Sequence, residues 1–172
     1  MRKIILPLML FILNSCATHI DTGNNINSNK LDFIYLKDYN EFIYKSKVNA
    51  SADNQTYITT NFSERLPKGV LAWKVKGNEF YFNYKHGQTI YINSGYKNIG
   101  NSNNWSIKDV NKEDILNVIK DSENQKQIGF EIKKNRVTKI YSDGRVSILL
   151  LNIKQDKINE FLNLIQNFEY LN

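Results

Sequence analysis

The sequence predicts an α+β fold in which antiparallel strands outnumber helices. Apolar and polar residues alternate in several short runs, and turn-forming residues separate those runs. Only two segments have the apolar spacing of an amphipathic helix. Because strands follow one another with few helices between them, a doubly wound parallel sheet is disfavoured. We therefore expect an antiparallel sheet, built from a meander and C-terminal hairpins, with a short central helix and a C-terminal amphipathic helix.

The first block of the domain, residues 31–48, fits either a strand or the start of a short helix. Leu31 and Phe33 occupy alternate positions, as in a strand. Asp38, followed by spaced aromatic and apolar residues, instead resembles a helix start. After a polar loop, residues 56–62 are rich in β-branched side chains and predict a strand.

The clearest strand signal begins after Pro67. Residues 70–76, 80–84 and 90–92 alternate apolar and polar side chains. Gly77-Asn78 and His86-Gly87 separate these runs and suit tight hairpin connections. The pattern predicts a meander with one covered face.

A polar loop and the central helix follow. Residues 94–104 are rich in Gly, Asn and Ser, and Trp105 anchors the far end of this predicted loop. Asn111, with Asp114 three residues later, has the spacing of a helix-capping pair. Ile115 begins the apolar stripe of the short helix that we expect there.

The C-terminal part predicts three more strands and the strongest helix. The strand candidates are residues 128–132, 137–141 and 146–153. The third is apolar on both faces, so we expect it to be central or covered by a helix. Asp156 is the expected cap of the final helix. Its apolar stripe consists of Ile158, Phe161, Leu162, Ile165 and Phe168.

The N-terminal segment has the pattern of an export signal. Arg2 and Lys3 precede an unbroken apolar stretch from Ile4 to Leu13. Ten apolar residues are too few for a transmembrane helix, which needs about 20. The stretch leads into Leu13-Asn14-Ser15-Cys16, which resembles the bacterial lipobox, the signal of lipoproteins that are cut before the cysteine and lipidated on its sulfur.

An ordinary secretory signal with an incidental cysteine is the alternative. Cys16 is the only cysteine of the chain, and an unpaired thiol would be reactive in an oxidising compartment. Acylation removes that reactivity. The resemblance thus implies a signal peptide at residues 1–15 and a lipid on Cys16. Residues 17–30 are polar without apolar periodicity, so we expect a lipidated, flexible tether at 16–30, and the remaining length predicts a single α+β domain at 31–172. The resemblance also implies an acyl anchor of the palmitate type in a bacterial cell envelope, at the periplasmic or surface face of the outer membrane.

The charge of the exported chain is modest. The full sequence has 23 basic and 17 acidic residues, a formal charge of +6. Removal of Arg2 and Lys3 with the signal leaves 21 basic against 17 acidic residues, or +4. Nucleic-acid binders usually concentrate their charge in a patch, and export makes nucleic acid a poor partner. The basic cluster formed by Lys133, Lys134, Arg136 and Lys139 predicts a solvated hairpin edge, with an anion site as the alternative.

Recognisable catalytic chemistry is scarce in this sequence. It has no metalloprotease helix, nucleophile elbow, phosphate-binding glycine loop or Cys/His metal spacing, so we expect no metal and no cofactor. His19 falls in the tether, and His86 falls at a turn tip, where a general base is disfavoured. Glu113 suits a helix start, and Asp143 suits a turn. No catalytic residue is assigned.

Aromatic residues are the stronger candidates for function. Tyr81 and Tyr91 should point away from the inward-facing residues of the meander, and Tyr96 and Trp105 flank the polar loop. Exposed aromatics often mark binding surfaces, although a helix or second sheet would cover them equally well. We expect a non-catalytic, lipid-anchored module that binds an envelope protein or glycan through these residues and the 94–106 loop. An immunity-type inhibitor of a toxin is one version. The alternative is a cell-wall or glycan hydrolase whose carboxylates converge only in the fold.

Overall fold

A computed structural model of the chain describes residues 20–21, 30–46, 49–52, 55–58, 60–95, 104–119 and 132–171. The helices are α1 (Lys112–Val118) and α2 (Ile158–Ile165), and a short 3-10 turn spans Lys85–Gly87. The strands, in chain order, are β1 (Ile20–Asp21), β2 (Lys30–Tyr35), β3 (Asn40–Lys45), β4 (Asn49–Ala52), β5 (Gln55–Ile58), β6 (Asn61–Leu66), β7 (Val70–Lys76), β8 (Glu79–Tyr84), β9 (Gln88–Ser94), β10 (Ser106–Asp109), β11 (Arg136–Ser142), β12 (Val146–Lys154) and β13 (Glu169–Leu171).

The strands form two larger sheets and one small one. The seven-stranded sheet has the order β1-β7-β8-β9-β12-β11-β10, and the four-stranded sheet has the order β13-β6-β3-β2. Strands β4 and β5 form a separate pair. All neighbours are antiparallel except β1 and β7, which run parallel. The expectation of antiparallel sheets with few helices is confirmed as a largely β fold.

The two larger sheets pack face to face around an aromatic core. Phe42 of β3 lies 5.6 Å from Phe80 and 5.0 Å from Phe82, measured between ring centroids. Phe62 of β6 meets Phe80 edge-on at 5.0 Å. All four side chains are fully buried. Edge-to-face contacts of this kind add to the large apolar area that such rings remove from water.

Helix α1 covers the opposite face of the seven-stranded sheet. Asn111 and Asp114 form a reciprocal capping box at its start, which satisfies backbone N–H groups that have no partner within the helix. Ile115 packs in a second buried cluster with Leu149 and Leu151 of β12. Strand β12 lies between β9 and β11, so its two-sided apolar run is buried on both faces.

The described residues of the N-terminal block form two strands joined by a turn, without a helix. Residues 31–48 contain β2 and β3, and the backbone N–H of Leu36 donates to the carbonyl of Tyr39 at 3.1 Å within the connecting turn. The predicted helix start at Asp38 is therefore wrong. Burial alternates along β3 around Phe42, and this two-residue period is that of a strand.

Two further boundaries differ from the expected ones. The predicted strand at 56–62 is interrupted at Thr60, whose backbone N–H and hydroxyl both donate to the carbonyl of Gly95. Strand β6 then continues to Leu66. The expected strand at 128–132 lies outside the described residues except for Ile132, which is exposed.

Helix α2 packs against β6 and β12 and reaches Tyr84 at the end of β8. Phe161 meets the ring of Tyr84 at 5.1 Å. The expected cap, Asp156, does not occupy the capping position, which belongs to Lys157 without a side-chain cap bond. The helix ends at Ile165, so Phe168 lies beyond it rather than on its apolar stripe. None of the helices in the described parts of the chain is long and apolar enough to span a bilayer.

Candidate functional site

Tyr81 and Tyr91 do point away from the inter-sheet core, but they are not exposed. Their side chains are 4 % and 0 % exposed, because Ile115 of α1 and Ile119, directly after the helix, pack over them. Their rings lie 4.9 Å apart. Both hydroxyls donate to the carboxylate of Glu79, at 2.9 and 2.7 Å. The expectation that these two tyrosines form an exposed binding surface is therefore wrong, and the helix covering them is the reason.

Trp105 lies in a different aromatic cluster. The two larger sheets form a sandwich, and this cluster lies at the end of the sandwich where the β11–β12 turn is found. The Trp105 ring stacks on Tyr141 at 4.3 Å and lies 5.2 Å from Phe168 and 6.5 Å from Tyr170. Tyr141 is buried, whereas the other three rings are partly exposed. Arg145 places its guanidinium 5.0 Å from the centre of the Tyr170 ring. We call these five residues the aromatic patch.

Asp143 holds the patch in place from the β11–β12 turn. Its side chain is buried, and one carboxylate oxygen accepts the backbone N–H groups of Arg145 and Val146, each at 2.9 Å. The other oxygen accepts the hydroxyl of Tyr170 in a short hydrogen bond. Burial is the main cause that raises the pKa of Tyr170, and the hydrogen bond to Asp143 raises it further, although the charge of Arg145 opposes the rise. The phenol therefore stays protonated and fixes the ring that Arg145 covers.

Both ends of the predicted polar loop are attached at this patch. Gly95 donates its backbone N–H to the carbonyl of Arg145 at 2.9 Å, and its own carbonyl accepts the Thr60 hydroxyl at 2.6 Å. Trp105 forms the other end, through its stacking on the patch. The predicted binding residue Tyr96 directly follows Gly95 in the sequence and lies outside the described residues, as does the predicted lipid-attachment residue Cys16.

The two buried glutamates of the described residues, Glu79 and Glu64, do not converge as the carboxylate pair of a hydrolase does. Glu79 is bonded to tyrosines beneath α1, whereas Glu64 alternates with Phe62 and Leu66 and so faces the inter-sheet core. The seven-stranded sheet separates the two groups. In the described ranges, no group of three or more His, Cys, Asp or Glu side chains is placed to hold a metal ion. His86 is exposed at the β8–β9 turn with a φ of 64°.

Glu64 is nevertheless unusual. Its side chain is fully buried, and neither carboxylate oxygen has a hydrogen-bond partner within the described structure. Burial raises its pKa well above the ordinary value of 4.5. The Arg65 backbone amide and guanidinium oppose this rise, but neither completes a hydrogen bond to the carboxyl group. Burial raises the pKa values of Tyr84 and Tyr141, and the nearby Glu64 carboxylate raises them further.

Sequence reasoning found Trp105 but missed the residues that complete its patch. Phe168 was expected on a helix, and Tyr170 and Arg145 had no assigned role. Aromatic residues at positions 168 and 170 have the two-residue spacing of a strand, and this was the available signal for β13. Comparison of the chain with protein-family models, curated proteins and solved structures finds no match.

Proposed function

We propose that this protein is a lipid-anchored component of a bacterial cell envelope that binds another envelope protein through the aromatic patch. The observation that carries the proposal is the group of partly exposed rings of Trp105, Phe168 and Tyr170 beside the Arg145 guanidinium. Tryptophan, tyrosine and arginine are the side chains most enriched at the energetic centres of protein interfaces. The patch is also held rigidly by Asp143, so little conformational freedom is lost on binding.

A protein partner suits the patch better than a glycan does. Sugar hydroxyls need protein groups that accept as well as donate hydrogen bonds; here the Asp143 carboxylate and the Tyr170 hydroxyl bond to each other, and the Arg145 guanidinium can only donate. What the patch offers is apolar ring surface and a guanidinium. One concrete version of this role is an immunity-type inhibitor that blocks a toxin delivered to the envelope.

Binding is tested by capture of envelope proteins on the immobilised chain. The double variant Trp105→Ala, Arg145→Ala should lose the captured partner, because it removes the central ring and the adjacent cation. Leu116→Ala is the matched control, since Leu116 is an exposed apolar residue on α1, away from the patch. Equal capture by the wild type and the double variant, with both folded by circular dichroism, would rule out this surface.

The anchor is proposed from the sequence at Leu13-Asn14-Ser15-Cys16, with the outer membrane as the expected location. Cells fed a labelled palmitate analogue should incorporate it into the wild-type chain and not into Cys16→Ser. The wild type should also lose residues 1–15, whereas Cys16→Ser, which lacks the cysteine at which the signal is cut, should retain them and migrate as a longer chain. An unlabelled wild-type chain would refute lipidation while leaving the binding proposal intact.

A further inference from the structure

Basic side chains cluster at the end of the sandwich opposite the aromatic patch. Three turns meet there: the β8–β9 turn, the segment before β11 and the β12–α2 connection. Strand β9 joins the two ends, and its seven residues correspond to a separation of about 20 Å. The basic side chains of these turns and of the adjoining strand ends are Lys85, Lys133, Lys134, Arg136, Lys154 and Lys157.

Hydrogen bonds between the turns hold this basic end together. The Lys133 ammonium donates to the carbonyl of His86 at 3.2 Å. The backbone N–H of Lys154 donates to the side chain of Gln88 at 2.9 Å, and Gln88 donates to the carbonyl of Lys85 at 3.0 Å. Lys154 also accepts the backbone N–H of Lys157 at 2.9 Å. Residues that are distant in the sequence are thus fixed in one basic surface.

A groove of about 300 Å³ opens at this end. Its lining includes the ammonium-bearing side chains Lys68, Lys85 and Lys157, with one carboxylate, Glu160. Leu71 also lines the groove, and this side chain is 53 % exposed. The Lys68 ammonium already donates to the Leu36 carbonyl at 2.7 Å and to the Asn40 side chain at 3.2 Å. Lys85 and Lys157, beside the exposed Leu71, form a surface that complements an amphiphilic anion.

We infer that this groove binds a phosphate ester, with the phosphate against Lys85 and Lys157 and the apolar part of the ligand against Leu71. Lysine ammonium groups are strong donors to phosphate oxygens. Anionic phospholipid headgroups and soluble phosphate esters share this chemistry. The inference does not depend on the lipid anchor or on the aromatic patch.

Glu160 sets the strength of the site. Its carboxylate lies 2.8 Å from the Lys157 ammonium, and both side chains are about half exposed. A phosphate must compete with this carboxylate for Lys157. Removing the acid by Glu160→Gln should therefore strengthen phosphate binding, whereas removing the lysines should weaken it. General charge attraction would give the same signs, so Glu160→Gln is compared with Glu169→Gln, which removes the same charge from an exposed position outside the groove; a gain in phosphate binding from Glu160→Gln alone identifies the site.

The test titrates the full chain with two probes, phenyl phosphate and lipid vesicles. Vesicles of phosphatidylcholine alone are compared with vesicles containing about a third phosphatidylglycerol, so that any contribution of an N-terminal lipid is common to both. The double variant Lys85→Gln, Lys157→Gln should weaken binding by about 30-fold on anionic vesicles. The control Lys45→Gln, Lys108→Gln removes the same charge from exposed positions outside the basic end.

The outcomes separate the two ligand sources. A selective loss of phenyl phosphate binding in the groove variant supports a soluble ester, and a selective loss on phosphatidylglycerol vesicles alone supports a lipid headgroup. Lys85→Arg, Lys157→Arg should retain binding in either case. Equal losses in the groove and control variants, or no binding of either probe by the wild type, would overturn the inference.

Discussion

Replacing Glu64 with glutamine should stabilise the protein above pH 4.5 and leave its stability nearly unchanged below that pH. The carboxyl group lies on β6, opposite Phe42 of β3, and it is completely buried. Neither oxygen has a hydrogen-bond partner among the described residues, and burial raises the pKa well above 4.5. The folded protein therefore holds the neutral acid at pH values where an exposed glutamate is ionised.

The size of the effect follows from proton linkage. Below pH 4.5 the carboxyl group is protonated in both the folded and unfolded chains, so its ionisation does not affect stability. Above that pH the unfolded chain releases the proton while the folded chain retains it. The free energy of unfolding then falls by about 1.4 kcal/mol per pH unit, until the pH reaches the raised pKa. Because glutamine cannot ionise, Glu64→Gln should be more stable than the wild type at pH 6, by up to about 2 kcal/mol.

Urea unfolding of the wild type and Glu64→Gln between pH 3.5 and 7 measures this difference. Glu169→Gln is the control, because Glu169 is exposed on the neighbouring strand β13, and it should leave the pH dependence unchanged. A Glu64→Gln variant that is less stable than the wild type at pH 6 would refute the reasoning. It would mean that the glutamate is ionised and stabilised in the folded protein.

Two further substitutions test the local supports of the fold. Asn111→Ala removes the side chain that caps α1, so urea unfolding should show a free energy of unfolding lower by about 1 kcal/mol. An equal loss in the exposed helix variant Asn117→Ala would contradict a capping role. Gly95→Ala would place a Cβ atom 2.7 Å from the carbonyl oxygen of Arg145, so we expect a loss of about 1–3 kcal/mol in stability and weaker partner capture. Unchanged stability and capture would show that this contact does not restrict the residue at position 95.

Local periodicity predicted the antiparallel, largely β character of the fold, because alternation depends only on neighbouring residues. It also assigned Tyr81 and Tyr91 correctly to the face opposite the inter-sheet core. It did not predict that α1 covers that face, since the packing of a helix on a sheet depends on tertiary contacts. Asp38 was ambiguous for a related reason. A polar residue before aromatic ones suits a helix start, and only the pairing of β2 with β3 excludes it.

The candidate site was less predictable than the fold. Trp105 stood out as an aromatic residue at the end of a polar loop. Its neighbours Phe168 and Tyr170 come from the C-terminus, and they reach it because β13 pairs with β6. Likewise, the sequence contained Lys133 and Lys134 as a local basic cluster, but Lys85 and Lys157 join them only through hydrogen bonds between turns. Sites assembled from distant segments have no single sequence motif.

The proposed lipid-attachment residue lies close in sequence to the seven-stranded sheet. Strand β1 pairs with β7 at Ile20 and Asp21, so four peptide units separate Cys16 from the sheet. A fully extended segment of that length reaches at most about 14 Å, which is less than the separation of about 20 Å between the two ends of the sandwich. If Cys16 carries the lipid, this reach limits how far the domain can turn relative to the bilayer. If the phosphate bound in the groove belongs to a lipid, the groove sets the orientation and directs the aromatic patch away from the membrane, toward a partner.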